Sequence, residues 1–333
     1  MKFYSKTTRA RPLHILCVIA FFTGIFGLIS NEYIFKTQIL EERLPNLTLY
    51  YDILFRDVKL LNLSSPTIHN ETKVIVVVCS KPSDQRIRNA IRRTWANPQL
   101  SKSVEDQFFT VVFLLGTGYM TESVKEEITA SKDILQVDVL DSYANLVYKL
   151  LAAYRWIAAN HPDKYVLKID SDVVVLLDKM KETVGDPSER SIQCYVHRYS
   201  VPDRNINSRW YIPESAYPEY YLPDYCSGPM YLIKPAGLAS MLEVIWQEKV
   251  FEVEDAFFTG VLAKAAGVRL RKQQGMWHRV KSSQPCVRGE GTVIGFPAHS
   301  VGALDLVKSW DHLRSIRCRL PIEHLIMSFI MND

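Results

Sequence analysis

Lys164 to Val175 reads Lys-Tyr-Val-Leu-Lys-Ile-Asp-Ser-Asp-Val-Val-Val, an apolar run broken by two carboxylates one residue apart. Side chains alternate along a strand, so Asp170 and Asp172 are expected on one face and Ser171 on the other. Carboxylates side by side repel, and burying them is costly unless a cation shares the site. Hard oxygen ligands suit Mg²⁺ or Mn²⁺, and a diphosphate commonly fills the remaining positions. The pair points to a metal–nucleotide site at the end of a sheet strand; the competing reading is a solvated turn. A second acid pair, Glu254-Asp255, opens the apolar stretch to Gly260, and by position alone it complements a helix dipole. Two aromatic stretches, Arg209 to Pro213 and Tyr217 to Tyr221, read as loops. Their rings suit the apolar face of a sugar and would serve equally as core and loop staples.

The elements that must position these groups alternate between strand and helix. Val74 to Val78 is β-branched and apolar on both faces, as in a central parallel strand. Ser83 can cap a helix running to Asn97, which Pro98 ends. Phe108 to Leu115 reads as a second strand closed by Gly116, Thr121 to Ser131 as a polar helix, and Ile134 to Val139 as a third strand. Tyr143 to Asn160 places Leu146, Leu150, Ala153 and Ile157 on one helical stripe, and His161-Pro162 stops it. Val166 to Ile169 is the fourth strand. This order predicts an α/β fold with a mostly parallel sheet covered on both faces. Ligands of such sheets sit at the carboxyl ends of strands, where Asp170 and Asp172 stand.

The chain has 333 residues, 47% hydrophobic and 23% charged, with a net charge of +4. Basic residues crowd the first eleven positions and the remainder is near neutral, so nucleic-acid binding has no electrostatic support. Residues 12–30 are almost wholly apolar, and their central seventeen span roughly 25 Å as a helix. Lys2, Lys6, Arg9 and Arg11 precede the span and Glu32, Glu41 and Glu42 follow it. The positive-inside rule makes residues 1–11 a cytosolic tail and puts the rest in the lumen. The run lacks a terminal pair of small residues, so it reads as an uncleaved anchor rather than a signal peptide. Its shortness fits the thinner early secretory membranes. Residues 31–72 hold three glycosylation sequons, at Asn46, Asn62 and Asn70, as in an exposed lumenal stem. The globular domain is expected over 73–333. In an oxidising lumen the expected disulfides are Cys194–Cys226 and Cys286–Cys318, with Cys79 as the free thiol.

Together these stretches resemble the inverting β1,3-glycosyltransferases, which include β1,3-galactosyl- and β1,3-N-acetylglucosaminyltransferases. Arg88 to Trp95 is similar to that family's first motif and Phe113 to Gly116 to its next. Asp141-Ser142-Tyr143-Ala144-Asn145-Leu146 through Lys149 matches its Asp-Ser-Tyr-x-Asn-Leu-x-x-Lys helix. Lys168 to Asp172 matches its Lys-x-Asp-x-Asp core. Tyr225 to Gly228 and Glu254 to Gly260 resemble its last two motifs. The resemblance spans about residues 73 to 320. Two departures stand out: Ser171 replaces a usual third Asp, and Pro229 and Met230 replace the glycines usual after Gly228.

The resemblance implies a two-lobed, glycosyltransferase A-type nucleotide-sugar fold, a UDP-sugar donor and Mn²⁺ (or Mg²⁺). By motif position Asp172 is the metal ligand, Asp170 contacts the nucleotide or a water on the cation, and His299 is a late metal ligand. Arg88, Arg92 and Lys149 are donor-binding candidates; each could instead be a helix-surface charge. Asp255 is the general base that takes the acceptor's proton. The implied activity is inverting transfer of galactose, N-acetylglucosamine or N-acetylgalactosamine in β1,3 linkage to an oligosaccharide on a glycoprotein or glycolipid, in the Golgi membrane. The alternative is a catalytically silent, membrane-anchored glycan-binding or helper protein on the same fold. A hydrolase is a more remote third, since paired carboxylates also cleave glycosides.

Overall fold

Val74–Cys79 (β1) is buried at every residue, because both faces of this strand are covered. The computed structural model describes residues 60, 65–273, 275–276, 294–298 and 302–316. The expected tail and anchor, Asn46, Asn62, His299, Cys286 and Cys318 lie outside the described residues. Asn70 is described and exposed. No helix among the described residues is long and apolar enough to cross a membrane. The chain already touches the sheet at Leu60, which bridges Val137 upstream of the boundary expected at Lys73.

β1 is an interior strand of a seven-stranded sheet. The other strands in chain order are Phe109–Thr117 (β2), Ile134–Leu140 (β3), Tyr165–Asp170 (β4), Ser191–His197 (β6), Tyr225–Ile233 (β7) and Arg269–Lys272 (β8). Their spatial order is β3-β2-β1-β4-β7-β6-β8. The first four run parallel, β7 is antiparallel to both β4 and β6, and β8 is parallel to β6. Val173–Val175 (β5) leaves this sheet to pair antiparallel with Gly295–Pro297 (β9). The expected mixed α/β architecture with a mostly parallel sheet is observed. A core of strand valines, isoleucines and leucines fills one face against the helix Gln85–Arg93 (α1) and the helix Ala303–Ser315.

Three sequence expectations shift on contact with the structure. The helix predicted over 83–97 begins as a 3₁₀ turn, Pro82–Asp84, and its α-helical part ends at Arg93. The Ser83 hydroxyl bonds Asp84 instead of capping. Thr94 departs from helical geometry and its hydroxyl donates to the Ala90 carbonyl at 2.8 Å, which turns Trp95 into the core. The helix predicted from Tyr143 begins at Leu146, because Asn145 turns back through its side chain to the Leu140 carbonyl at 2.9 Å. β2 runs through Gly116, where a side chain would collide with the Val139 carbonyl oxygen, so glycine permits the close approach of β3 there. The polar helix predicted over 121–131 spans Glu122–Ala130 (α2), and the Thr121 hydroxyl caps it.

Candidate active site

The register of β4 on β1 sets Asp170 opposite Cys79, at the carboxyl end of the central strands. There the strand stops: Ser171 and Asp172 form a turn before β5. The two carboxylates therefore do not alternate along one strand, as the sequence pattern suggests. They flank the point where the chain changes sheets. The Ala298 N–H donates to the Asp172 carbonyl at 2.7 Å, extending the β5–β9 pairing that pulls the chain away. Both acids still line one cleft of about 510 Å³, together with Tyr143, Arg209, Trp210, Gly228 and Asp255.

Lys168 organises the floor of this cleft. Its side chain is fully buried in β4, and its three N–H donors meet Asp170 Oδ1 at 2.7 Å, Glu254 Oε1 at 2.7 Å and the Gly228 carbonyl at 2.6 Å. Burial opposes a charge here, but Asp170 and Glu254 outweigh it and hold the ammonium well above the ordinary lysine range. Glu254 also accepts from the Tyr231 hydroxyl at 2.9 Å. It is an ion-pair partner across the cleft floor as well as an acid at a helix start.

Asp255 follows Glu254 and starts a π-helical turn, Ala256–Leu262, whose first N–H donates to Asp255 Oδ1 at 2.8 Å. Such turns concentrate at functional sites. Burial, and then the charge of Glu254, push the Asp255 carboxyl up to about 7, with Lys168 pulling the other way. Gly228 lies against this group: a Cβ there would sit 2.9 Å from Asp255 Oδ2. The glycine is thus the residue that lets backbone reach the acid. Of the two residues after it, Pro229 lines the cleft while Met230 is buried in the core. The departure at Pro229 reaches the site directly.

The predicted donor-binding cations lie elsewhere. Arg88 is fully buried; it meets Glu127 through two N–H groups, at 2.9 and 2.6 Å, and the Ser80 hydroxyl at 3.0 Å. Arg92 pairs with Glu127 and Asp133. These pairs tie α1 to α2 and the turn before β3, and neither arginine lines the cleft. Lys149 bonds Asp141 at 2.8 Å and the Ser80 carbonyl at 3.0 Å, joining the carboxyl ends of β1 and β3. Cys79 is buried and free, as expected, and burial pushes its thiol up to about 12, so it is no nucleophile. Cys194 and Cys226 form the expected disulfide.

Asp170 is about one-third exposed (34%) even with Lys168 on one oxygen. Among the described residues no group of three or more metal-ligating side chains converges. Two hard carboxylates fit a divalent cation that takes its other ligands from a diphosphate. Ala298, bonded to Asp172, precedes His299 in the chain, and His299 itself lies outside the described residues.

The family profile described as "Galactosyltransferase" matches residues 86–274. The chain belongs to the galactosyltransferase family. It is 32% identical over 255 residues to beta-1,3-galactosyltransferase 2 of Homo sapiens, covering 72% of this chain and 58% of that protein. It is 26% identical over 269 residues to beta-1,3-galactosyltransferase 1 of Mus musculus, covering 78% and 80% respectively. The galactosyltransferase-family chain thus spans little more than half the length of the human relative. Among solved structures, a galactosyltransferase LgtC complex with donor and acceptor sugar analogues aligns with a TM-score of 0.38 and 9% identity, over 73% of this chain and 97% of that one. The spacing pairs Asp170 with Asp172 and only the family resemblance adds Asp255; all three line one cleft. Sequence reasoning missed the hub role of Lys168, although a lysine inside an apolar strand needs carboxylate partners to be buried.

Proposed function

We propose that this chain transfers a hexose from a UDP-sugar to a glycan acceptor in β1,3 linkage with inversion, on a glycosyltransferase A-type fold anchored in the Golgi membrane. The observation that carries this reading is Asp255, set under Gly228 in the same cleft as Asp170 and Asp172. One cleft thereby presents a cation-type acid pair and a separate, partly buried carboxylate.

Asp255 takes the proton from the acceptor hydroxyl as that oxygen attacks the anomeric carbon. The bond from that carbon to the UDP oxygen breaks, and its electron pair leaves with UDP. Attack from the side opposite the leaving group inverts the centre, so an α-linked donor gives a β-linked product. Lys168 fixes Asp170 and Glu254 relative to each other, which sets the distance between the donor-side and base-side walls. Asp172, with Asp170 beside it, would hold Mn²⁺ or Mg²⁺. When bound, the cation offsets negative charge gathering on the departing UDP.

The test is UDP release by the full chain with UDP-galactose, UDP-N-acetylglucosamine or UDP-N-acetylgalactosamine over an acceptor panel, beside an Asp172→Ala control. Acceptor-dependent release, lost in the control and on adding a chelator, is the expected result. A folded chain that binds no UDP would overturn the reading.

A further inference from the structure

The cleft has a wall that the mechanism above leaves unused. Between β6 and β7 the chain makes a long excursion carrying Tyr199, Val201, Ile206, Trp210, Tyr220 and Tyr221, all exposed. The other exposed large apolar residues among those described are scattered over separate elements. The excursion contributes Val201, Asp203, Arg209, Trp210, Ile212 and Leu222 to the cleft lining. The Arg209 guanidinium lies 4.7 Å from the Tyr143 ring centroid and 5.2 Å from that of Trp210. It is the one Lys or Arg among the described residues lining the cleft, against five carboxylates.

A guanidinium resting on aromatic faces keeps its in-plane N–H groups available for a ligand. A pyranose presents the complementary surface: a C–H face for an indole and a rim of hydroxyls for a fork of donors. Tyr143, the arginine on it and Asp255 line one cleft, with the charges of Asp255 and Glu254 felt at the Tyr143 hydroxyl. In a single displacement the acceptor lies with the base, opposite the diphosphate.

We infer that Arg209 and Trp210, braced by Tyr143, form the acceptor subsite, Trp210 taking the C–H face of a hexopyranoside and Arg209 its hydroxyl rim. The inference rests on the transferase reading. Its test uses the full chain in detergent, with methyl β-galactoside and methyl β-N-acetylglucosaminide as acceptors, and initial rates with acceptor and donor varied in turn. In Trp210→Ala the acceptor KM rises at least tenfold while the donor KM holds within about twofold. Arg209→Lys keeps the charge but loses the planar fork, and it behaves like Arg209→Ala. Trp246→Ala, an exposed tryptophan outside the cleft, changes neither constant. A raised donor KM with an unchanged acceptor KM overturns the inference and moves Arg209 to the donor side. Unchanged constants in both variants also overturn it. If the wild-type chain turns over no donor, the transferase reading fails by itself. Saturation-transfer NMR with the same glycosides then decides the subsite: loss of signal in Trp210→Ala supports it, and equal signal in both chains overturns it.

Discussion

The parallel strands and the excursion between β6 and β7 handle their polar side chains differently. Around β3-β2-β1-β4, nearly every buried cation is consumed within the fold: Arg88 by Glu127, Lys149 by Asp141, Lys168 by Asp170 and Glu254. In the excursion between β6 and β7, Arg204 holds only backbone carbonyls, those of Ile212, Tyr217 and Glu219. Aromatic rings there remain exposed. Buried charges demand nearby partners, so the parallel part is a scaffold whose substitution costs stability. The excursion ties its own backbone together through Asp203, Arg204, Asn205 and Ser208 and leaves its rings outside. Asp255 stands where the two meet.

The comparison breaks most sharply at Asp255. Asp255→Asn is expected to lower kcat by about 10²–10⁴-fold, the usual worth of a positioned base. The wild-type rate should rise with pH to a plateau with a midpoint near 7. The sign for stability is opposite. A carboxyl raised from 3.8 to about 7 binds its proton more tightly when folded, so its contribution to stability fades as pH climbs through that window. The melting temperature of Asp255→Asn at pH 8 should match or exceed that of the wild type, with the gap closing toward pH 4. A variant that melts much lower at pH 8 would refute this placement of the acid.

On the scaffold side, Glu127→Ala leaves the Arg88 guanidinium buried without its carboxylate and should cost about 3–5 kcal/mol in guanidinium denaturation. A loss near zero would mean that the pair is not a scaffold element. Gly228→Ala sharpens the boundary between the two. A Cβ 2.9 Å from Asp255 must displace that carboxylate, and misplacement of this kind costs up to about 10²-fold in kcat, with the circular dichroism spectrum unchanged. The smallest effect belongs to Cys79. A thiol pushed up to about 12 in the core should ignore a thiol reagent in the native chain and react fully once unfolded.

What the sequence revealed follows the same division. The strands were legible because continuous β-branched runs such as Val74–Cys79 have few other fates, and the 3.6-residue stripe of Leu146, Leu150, Ala153 and Ile157 marked its helix. Element ends were less so, since Thr94 and Asn145 turn the chain with side-chain bonds to carbonyls four and five residues back, which periodicity does not register. Asp170 and Asp172 were found as a pair, but their turn was not, because the change of sheet depends on β9, more than 120 residues away. Arg88 and Arg92 carried a motif position and no record of Glu127 or Asp133. Periodicity reports which face is apolar; it does not report which acid lies opposite.

The disulfide has a consequence for how this chain can vary. Cys194 and Cys226, 32 residues apart, close the excursion into a covalent ring at its base. Cys226 also accepts nothing from chance: its N–H donates to the Thr259 hydroxyl at 2.7 Å, on the turn that begins at Asp255. Closing a loop of that length removes about 3–4 kcal/mol of chain entropy from the unfolded state. Lengthening such a ring adds only about 0.6 kcal/mol per doubling. The ring is therefore a cassette: its length can change at little entropic cost while the clasp keeps β6, β7 and the turn at Asp255 in place.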